Sequence, residues 1–280
     1  MLFNLHTHTH FSDGSSSPEE YVKEALLQGF HTLGFSDHSP VPFENSFAIR
    51  EERLQEYITT ILGLRELYPS SINILLALEI DFIPGITKPL ETYREMNCFD
   101  YFIGSVHLVK NGNSDDLWFI DGPDINIYDE GLKRVFNNDI RSAVTAYYHQ
   151  VNRMIETENP DIIGHLDKIR MYNRNRYFLE NEDWYIKLIE ETLDLVREKG
   201  CVVEVNTRGI YKKRSNALFP GIEILKMIRA SKIPITLSSD AHKPHELSLY
   251  FKETRKLLKE IGFESISLRI AKGWKEVPLS

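Results

Sequence analysis

Repeatedly along this chain a short apolar run ends on a histidine or an acidic residue, and that pairing limits the folds open to it. Leu5 leads into His6, Thr32 to Ser36 into Asp37 and His38, Asn73 to Leu78 into Glu79, Phe102 to Val106 into His107, and Ile162-Ile163-Gly164 into His165. Pro234 to Ser238 leads into Asp240 and His242. Apolar runs this short, bounded by turn residues, read as buried strands. An unpaired charge at the end of a buried strand is costly, so carboxylates and imidazoles placed there call for a cation.

Helices fill the intervals. Ser17-Pro18-Glu19-Glu20 has the form of a capping box, and Val22, Ala25, Leu26 and Gly29 follow at helical spacing. Leu54, Tyr57, Ile58, Ile61, Leu64 and Tyr68 trace one helical face, as do Ile186, Ile189, Leu193 and Val196. A helical turn is expected near 89–96, and further helices over 221–230 and 246–259. Seven strand-helix rounds with ligand-type residues at the carboxyl ends of the strands predict a parallel α/β barrel rather than an open sheet. With 280 residues, 42% of them hydrophobic, the chain can bury one large core, and a single domain over 1–280 is expected. Residues 110–116 are turn-rich and 117–123 lack periodicity, which predicts a long loop shaping substrate access, with Trp118 and Phe119 either pinning it or touching substrate. The tail from Phe263 to Ser280 predicts a short strand and an exposed end.

The densest of these stretches is His6-Thr7-His8. On a strand, residues i and i+2 face the same way, which puts two imidazoles about 7 Å apart on one side, where they can share one metal. Asp13 follows closely, within Ser12-Asp13-Gly14. His31, His149 and His245 read as structural or exposed residues and His10 as a neighbour of the site.

His-x-His-Thr with Ser-Asp-Gly behind it, Asp37-His38, Glu79 after a strand, Ser105-Val106-His107, Gly164-His165 and Ser239-Asp240-Ala241-His242 together resemble the polymerase and histidinol phosphatase (PHP) superfamily over residues 5–242. The resemblance implies a distorted (β/α)7 barrel with a trinuclear metal site at the carboxyl ends of the strands. It assigns His6, His8, Glu79 and Asp240 to a first ion, Glu79, His107 and His165 to a second, and Asp13, His38 and His242 to a third. Glu79, Asp240 and His242 are the catalytic candidates within that set. Zn or Mn are the first expectations for the ions, with Fe or Co compatible with the same mixed ligands. Three divalent ions against three carboxylates leave a net positive site, which favours an anionic substrate and in-line displacement at phosphorus.

In length, and in Val205-Asn206-Thr207 followed by Gly209, the chain is similar to the stand-alone histidinol-phosphate phosphatases of that superfamily. The implied reaction is hydrolysis of L-histidinol phosphate to L-histidinol and phosphate in histidine biosynthesis; the alternative is a phosphoesterase acting on nucleotides or single-stranded nucleic-acid ends. Basic residues after the Gly-His and Asn-Thr elements are expected to hold the phosphate. Arg170 matches the first. At the second, Tyr211 stands where an arginine is expected, leaving Lys212, Lys213 and Arg214 as replacements. The ammonium and imidazole of histidinol call for carboxylates or aromatic faces, and Glu44, Phe43, Trp118 and Asp121 are the loop candidates.

A net charge of −8 disfavours broad nucleic-acid binding. No apolar run is long enough for a membrane span and no leader is recognisable, so a cytoplasmic protein is expected. Cys98 and Cys201 imply no disulfide framework, and Cys201 reads as a core thiol. Oligomeric state is not encoded in any motif here.

Overall fold

A computed structural model describes residues 1–112, 116–271 and 273–279. The chain opens with β1 (Phe3–Asn4), α1 (Pro18–Leu27), β2 (Thr32–Phe35), α2 (Leu54–Leu67), β3 (Asn73–Asp81), α3 (Glu91–Arg94) and β4 (Tyr101–Ser105). An insertion follows, made of β5 (Leu108–Lys110), β6 (Leu117–Phe119), α4 (Ile125–Phe136) and α5 (Ile140–Thr157). The alternation resumes with β7 (Ile162–Ile163), α6 (Asp183–Lys199), β8 (Val202–Asn206), α7 (Arg208–Tyr211), α8 (Ile222–Ala230), β9 (Ile235–Ser238) and α9 (Phe251–Ile261), and ends in β10 (Ser265–Ile270) and β11 (Gly273–Pro278).

Seven of the strands form one parallel sheet in the order β1-β2-β3-β4-β7-β8-β9. A parallel bridge between Thr7 and Ala241 joins its two edges, with His8 N donating to the Ala241 carbonyl at 2.9 Å and Ala241 N to the His6 carbonyl at 3.2 Å. The sheet is thereby nearly closed into a barrel, and its seam runs through the ligand-type residues. Both faces of the strands are covered, which is why they read as continuous apolar runs. Leu33, Phe35, Leu76 and Leu78 pack toward α1 and α2, while Ile103, Ile163, Val203 and Leu237 join the larger core under α4, α5, α6 and α8. Inside the ring Tyr101 donates to the Leu5 carbonyl at 2.5 Å, a close approach open only because residue 34 is glycine: a Cβ there would overlap the Tyr101 hydroxyl.

Local signals place the helices. Glu20 accepts from Ser17 N at 2.8 Å and completes the capping box of α1. Asp124 and Asp139 cap α4 and α5 by accepting from Asn126 N (2.7 Å) and Ser142 N (3.0 Å).

The structure corrects three expectations. The loop expected over 110–123 contains an antiparallel pair in which Val109 faces Trp118, although 113–115 of the turn-rich stretch lie outside the described residues. The helix expected from Glu246 begins instead at Phe251, because Tyr250 takes a left-handed φ of 66° and separates it from a 3-10 turn over Pro244–Glu246. The tail is a hairpin, β10 against β11; Ile266, Leu268, Val277 and Leu279 are buried, and Gly273 takes φ 93° at the turn. Within it, Lys272 and Ser280 lie outside the described residues.

Candidate metal centre

The residues predicted to converge do converge. Asn4, in the sheet, sends its side chain to Ser239 Oγ at 2.7 Å and the Leu247 carbonyl at 3.0 Å, and accepts from His6 N at 3.0 Å. That anchorage puts the His6 and His8 rings 5.0 Å apart, both fully buried. Glu79, near the end of β3, forms the middle of the site. Its Oε2 lies 3.1 Å from His6 Nε2, 3.3 Å from His8 Nε2 and 3.3 Å from His38 Nδ1, and its Oε1 lies 3.1 Å from His165 Nε2 and 3.6 Å from His107 Nε2. One carboxylate is thus shared by five imidazoles.

Asp240 Oδ1 lies 3.4 Å from His8 Nε2 and 3.9 Å from His6 Nε2, and Asp13 Oδ2 lies 3.0 Å from His242 Nε2. Close groups able to hold an ion include His6-His8-Asp240 and Glu79-His107-His165, in line with two of the three expected sets. The third differs: Asp13 and His242 gather with His8, whereas His38 groups with Asp81 and His107 and with His8 and Glu79. The cause is Asp81, whose Oδ2 takes His38 Nδ1 at 2.8 Å.

The donor set fits divalent cations. Among the described residues, buried His6 Nε2, both nitrogens of His8, and His165 Nδ1 have no hydrogen-bond partner, a costly arrangement for polar atoms unless something else meets them. Burial alone would lower the His6 imidazole, but Glu204, Glu79 and Asp240 lift it well above its ordinary value. Burial would likewise raise Glu79, yet His6, His38 and His107 hold it well below the usual carboxylate range. Asp240 follows the same pattern, burial opposed by His6, Arg208 and Lys168. The centre therefore keeps ionised carboxylates in a barrel interior, among ring nitrogens of a borderline-soft ligand type.

Two carboxylates behind the histidines escaped the sequence reading. Asp81 accepts His107 Nδ1 at 2.6 Å as well as His38 Nδ1, and Glu204 accepts His6 Nδ1 at 2.6 Å, His165 N at 2.7 Å and Ser238 Oγ at 2.5 Å. A proton fixed on Nδ1 of His6 and His107 leaves Nε2 as the free lone pair facing Glu79. Both had a visible signal: Asp81 is two residues beyond Glu79 on the same strand face, and Glu204 is a lone carboxylate inside Val202-Val203-Glu204-Val205.

Asp37 holds the loop that carries Asp13. It accepts from Thr9 N (2.7 Å), Ser12 N (3.2 Å) and Ser12 Oγ (2.6 Å), while Gly14 N donates to the Thr9 carbonyl at 3.0 Å. A Cβ on residue 14 would overlap the His8 carbonyl. Gly14→Ala is expected to destabilise the protein by about 2 kcal/mol, seen as a lowered Tm in thermal melts; an unchanged Tm would mean that the loop relaxes freely.

The centre lies at the floor of a cleft of about 80 Å³, room for about three waters. Of the substrate candidates, Arg214 and Asp121 line it. Trp118 does not: it is fully buried with Nε1 donating to the Tyr128 carbonyl at 2.8 Å, and strand alternation turns Phe119 to the cleft instead. Arg170 is folded away between Asp167 (3.5 Å) and Glu180 (2.9 Å) and borders a separate groove that also takes in Lys213. Lys212 is tied to Glu246, and Glu44 is exposed outside the cleft lining. The basic residues that do line the cleft with Arg214 are Lys168 and Arg208. Lys168 Nζ lies 3.4 Å from Asp121 Oδ2 and 3.8 Å from Asp240 Oδ2. Arg208 shares one helical turn and one face with Tyr211, whose hydroxyl lies 3.4 Å from its Nη1, so a guanidinium stands beside the tyrosine that replaces the expected arginine. Burial pushes the Cys201 thiol up to about 11, in keeping with a core residue.

Comparison with known proteins agrees with this geometry. The chain is similar over 272 residues to a "Probable histidinol-phosphatase" of Deinococcus radiodurans, at 29% identity and 96% coverage of each. Its fold is similar to that of a solved chain from Listeria monocytogenes, with a TM-score of 0.78, 19% identity and coverage of 90% of this chain and 99% of that one. It is also similar to histidinol phosphate phosphatase from Lactococcus lactis, solved in complex with Zn, L-histidinol and phosphate, with a TM-score of 0.71, 22% identity and 98% coverage of both. The PHP domain model matches residues 4–208, a span holding Asp13, Glu79 and all the clustered histidines except His242; with the nearly closed seven-strand sheet around them, the chain belongs to the PHP domain family.

Proposed function

We propose that this protein is a metal-dependent phosphomonoesterase that hydrolyses L-histidinol phosphate to L-histidinol and phosphate. The observation that carries the reading is Glu79, a buried carboxylate shared by five imidazoles beneath a cleft lined by Lys168, Arg208 and Arg214. The L-histidinol, phosphate and Zn in the Lactococcus lactis relative support the substrate and the kind of ion. We assign His6, His8, Asp13, His38, Glu79, His107, His165, Asp240 and His242 as ligands of three divalent ions, Zn or Mn, in one domain spanning 1–280. No helix among the described residues is long and apolar enough to cross a membrane, and the two free cysteines suit a reducing, cytoplasmic setting.

Divalent ions held there supply Lewis acidity toward phosphoryl oxygens and make water acidic enough to furnish the nucleophile near neutral pH. The chain's own residues do the rest. Lys168, held between Asp121 and Asp240, and the Arg208 and Arg214 guanidiniums present fixed positive charge to the ester's oxygens, and the planar guanidiniums can meet two oxygens at once. Asp240 steadies these cations, its Oδ2 lying 3.8 Å from Lys168 Nζ and 3.9 Å from Arg208 Nε and accepting from Asn206 Nδ2 at 3.2 Å.

The test is kcat/KM for phosphate release from L-histidinol phosphate beside an aryl phosphate, a nucleoside monophosphate and a single-stranded oligonucleotide, with protein loaded with Zn or Mn. Preference for histidinol phosphate by roughly 10³-fold or more is expected; faster turnover of a nucleotide or oligonucleotide would keep the centre and discard the substrate. Arg208→Ala is expected to raise KM for phosphate esters by about 10- to 100-fold, the range for losing a hydrogen bond to a charged group. Steady-state kinetics that leave KM within twofold would remove Arg208 from phosphate binding.

A further inference from the structure

Among the described residues, the cleft lining is ionic or imidazole except at Phe47 and Phe119. Both are half-buried at its wall, their ring centroids 6.4 Å apart and their planes inclined by 31°. They come from separate parts of the chain, and each is held in place. Phe47 sits in a turn closed by Asn45, whose Oδ1 accepts from Phe47 N at 3.0 Å and Ala48 N at 2.7 Å. Phe119 lies opposite Leu108 in the β5–β6 pair, and the next residue, Ile120, donates its N–H to the His107 carbonyl at 3.0 Å. Two apolar rings kept partly uncovered beside so many charges gain nothing from water, whereas a flat ring resting on them gains contact area and quadrupole attraction.

Their position matches the length of the proposed substrate. The Phe47 ring meets the edge of His38, itself in the centre, at 5.5 Å between centroids and 81° between planes. In an ester whose ring is carried three carbon atoms beyond the ester oxygen, ring and phosphorus are separated by roughly 6 Å when extended. A phosphoryl group over the centre therefore brings such a ring to this aromatic corner. An imidazole that carries a proton adds cation–π attraction to either phenyl face.

We infer that Phe47 and Phe119 form the specificity-determining corner of this site, binding the leaving group's imidazole ring and selecting it over alkyl phosphates of the same length. The inference rests on the substrate reading above and adds the residues that enforce it. Wild type, Phe47→Leu, Phe119→Leu and Phe119→Tyr, all loaded with Zn, are compared on L-histidinol phosphate and on 2-aminopropyl phosphate, which keeps the ammonium and lacks the ring. In each leucine variant the ratio of the two kcat/KM values is expected to fall about tenfold through KM for the ring-bearing ester, while Phe119→Tyr retains the wild-type ratio. Titration calorimetry with L-histidinol is expected to show the same loss of affinity.

The outcomes separate the two claims. A wild-type ratio near one sinks the substrate reading and the corner with it. A large wild-type ratio that both leucine variants keep within twofold leaves the substrate standing and overturns the corner. Thermal melts identify a variant that fails to fold; should Phe119→Leu disturb the β5–β6 pair, Phe47→Leu decides alone, since its turn is held by Asn45 and not by the ring. Wild-type preference for a nucleoside monophosphate that drops in Phe47→Leu would assign the corner to a nucleobase and overturn the imidazole assignment.

Discussion

Glu79→Gln is expected to lower kcat/KM for phosphate release by about 10³-fold or more, ~4 kcal/mol of transition-state stabilisation, and to lower bound metal. The reason is its position: Oε2 faces His6, His8 and His38, and Oε1 faces His107 and His165, so one carboxylate joins both halves of the centre. Glutamine keeps the volume and removes the charge. Its amide nitrogen, a donor only, then points at imidazole nitrogens whose free lone pairs the proposed ions require. Ser105, which donates to Glu79 Oε1 at 2.5 Å, also loses its charged acceptor. Metal content by mass spectrometry and initial rates, taken together, check the prediction. Full metal occupancy with wild-type rates would remove Glu79 from the centre. Full occupancy with the rate lost would assign it to the reacting groups rather than to holding the ions.

How much of this was legible in the sequence depends on whether a feature repeats along a strand or turns on the phase of one residue. His6, His8, Glu79, His107, His165 and Asp240 were readable because a polar residue ending an apolar run is locally anomalous and cannot be buried without a partner. The barrel followed from the same runs, because ligand-type residues at the same end of every strand leave few topologies. The phosphate side was harder. After His165 a 3-10 turn spans Lys168–Arg170, and it sends Lys168 to the cleft and Arg170 to Asp167 and Glu180; composition does not reveal that phase. Trp118 and Phe119 pose the same problem on a strand. One residue of register decides which ring reaches the core and which the cleft, and that register is set by pairing with Leu108 and Val109. Arg208 is hidden by a helical offset: the arginine is expected at Tyr211, and the guanidinium that lines the cleft comes from one turn earlier on the same face. In the tail the strand was legible and its partner was not: Ile266 and Leu268 alternate as a strand should, but only their pairing with Val277 and Lys275 makes a hairpin of it.

Asp81→Asn is expected to weaken metal binding by about 10- to 100-fold, although the substitution removes no atom of the side-chain framework. Asp81 accepts two ring protons at once, from His38 Nδ1 at 2.8 Å and His107 Nδ1 at 2.6 Å. An amide has one oxygen to accept and one nitrogen that only donates. Whichever way the asparagine turns, one histidine meets N–H against N–H and must move its proton to Nε2 or rotate away. For His107, whose Nε2 lies 3.6 Å from Glu79 Oε1, either change takes a lone pair from the proposed centre; for His38, whose Nδ1 faces both Glu79 and Asp81, it releases the ring from its anchor. The aspartate's charge, held at about 2 because His38 and His107 outweigh its burial, is lost as well. Competition against a chromophoric chelator measures the affinity directly, without substrate. Kinetics then separate a positioning residue from a ligand: if Asp81 only orients the rings, excess Zn or Mn restores a large part of kcat, because a reoccupied centre has its full complement of ligands. If Asp81 is itself a ligand, as its grouping with His38 and His107 allows, occupancy can be forced but turnover stays low. An affinity equal to wild type would show that both imidazoles hold their orientation through packing alone, the edge contact of His38 with Phe47 and of His107 with His165, and would move the source of their fixed tautomers away from Asp81.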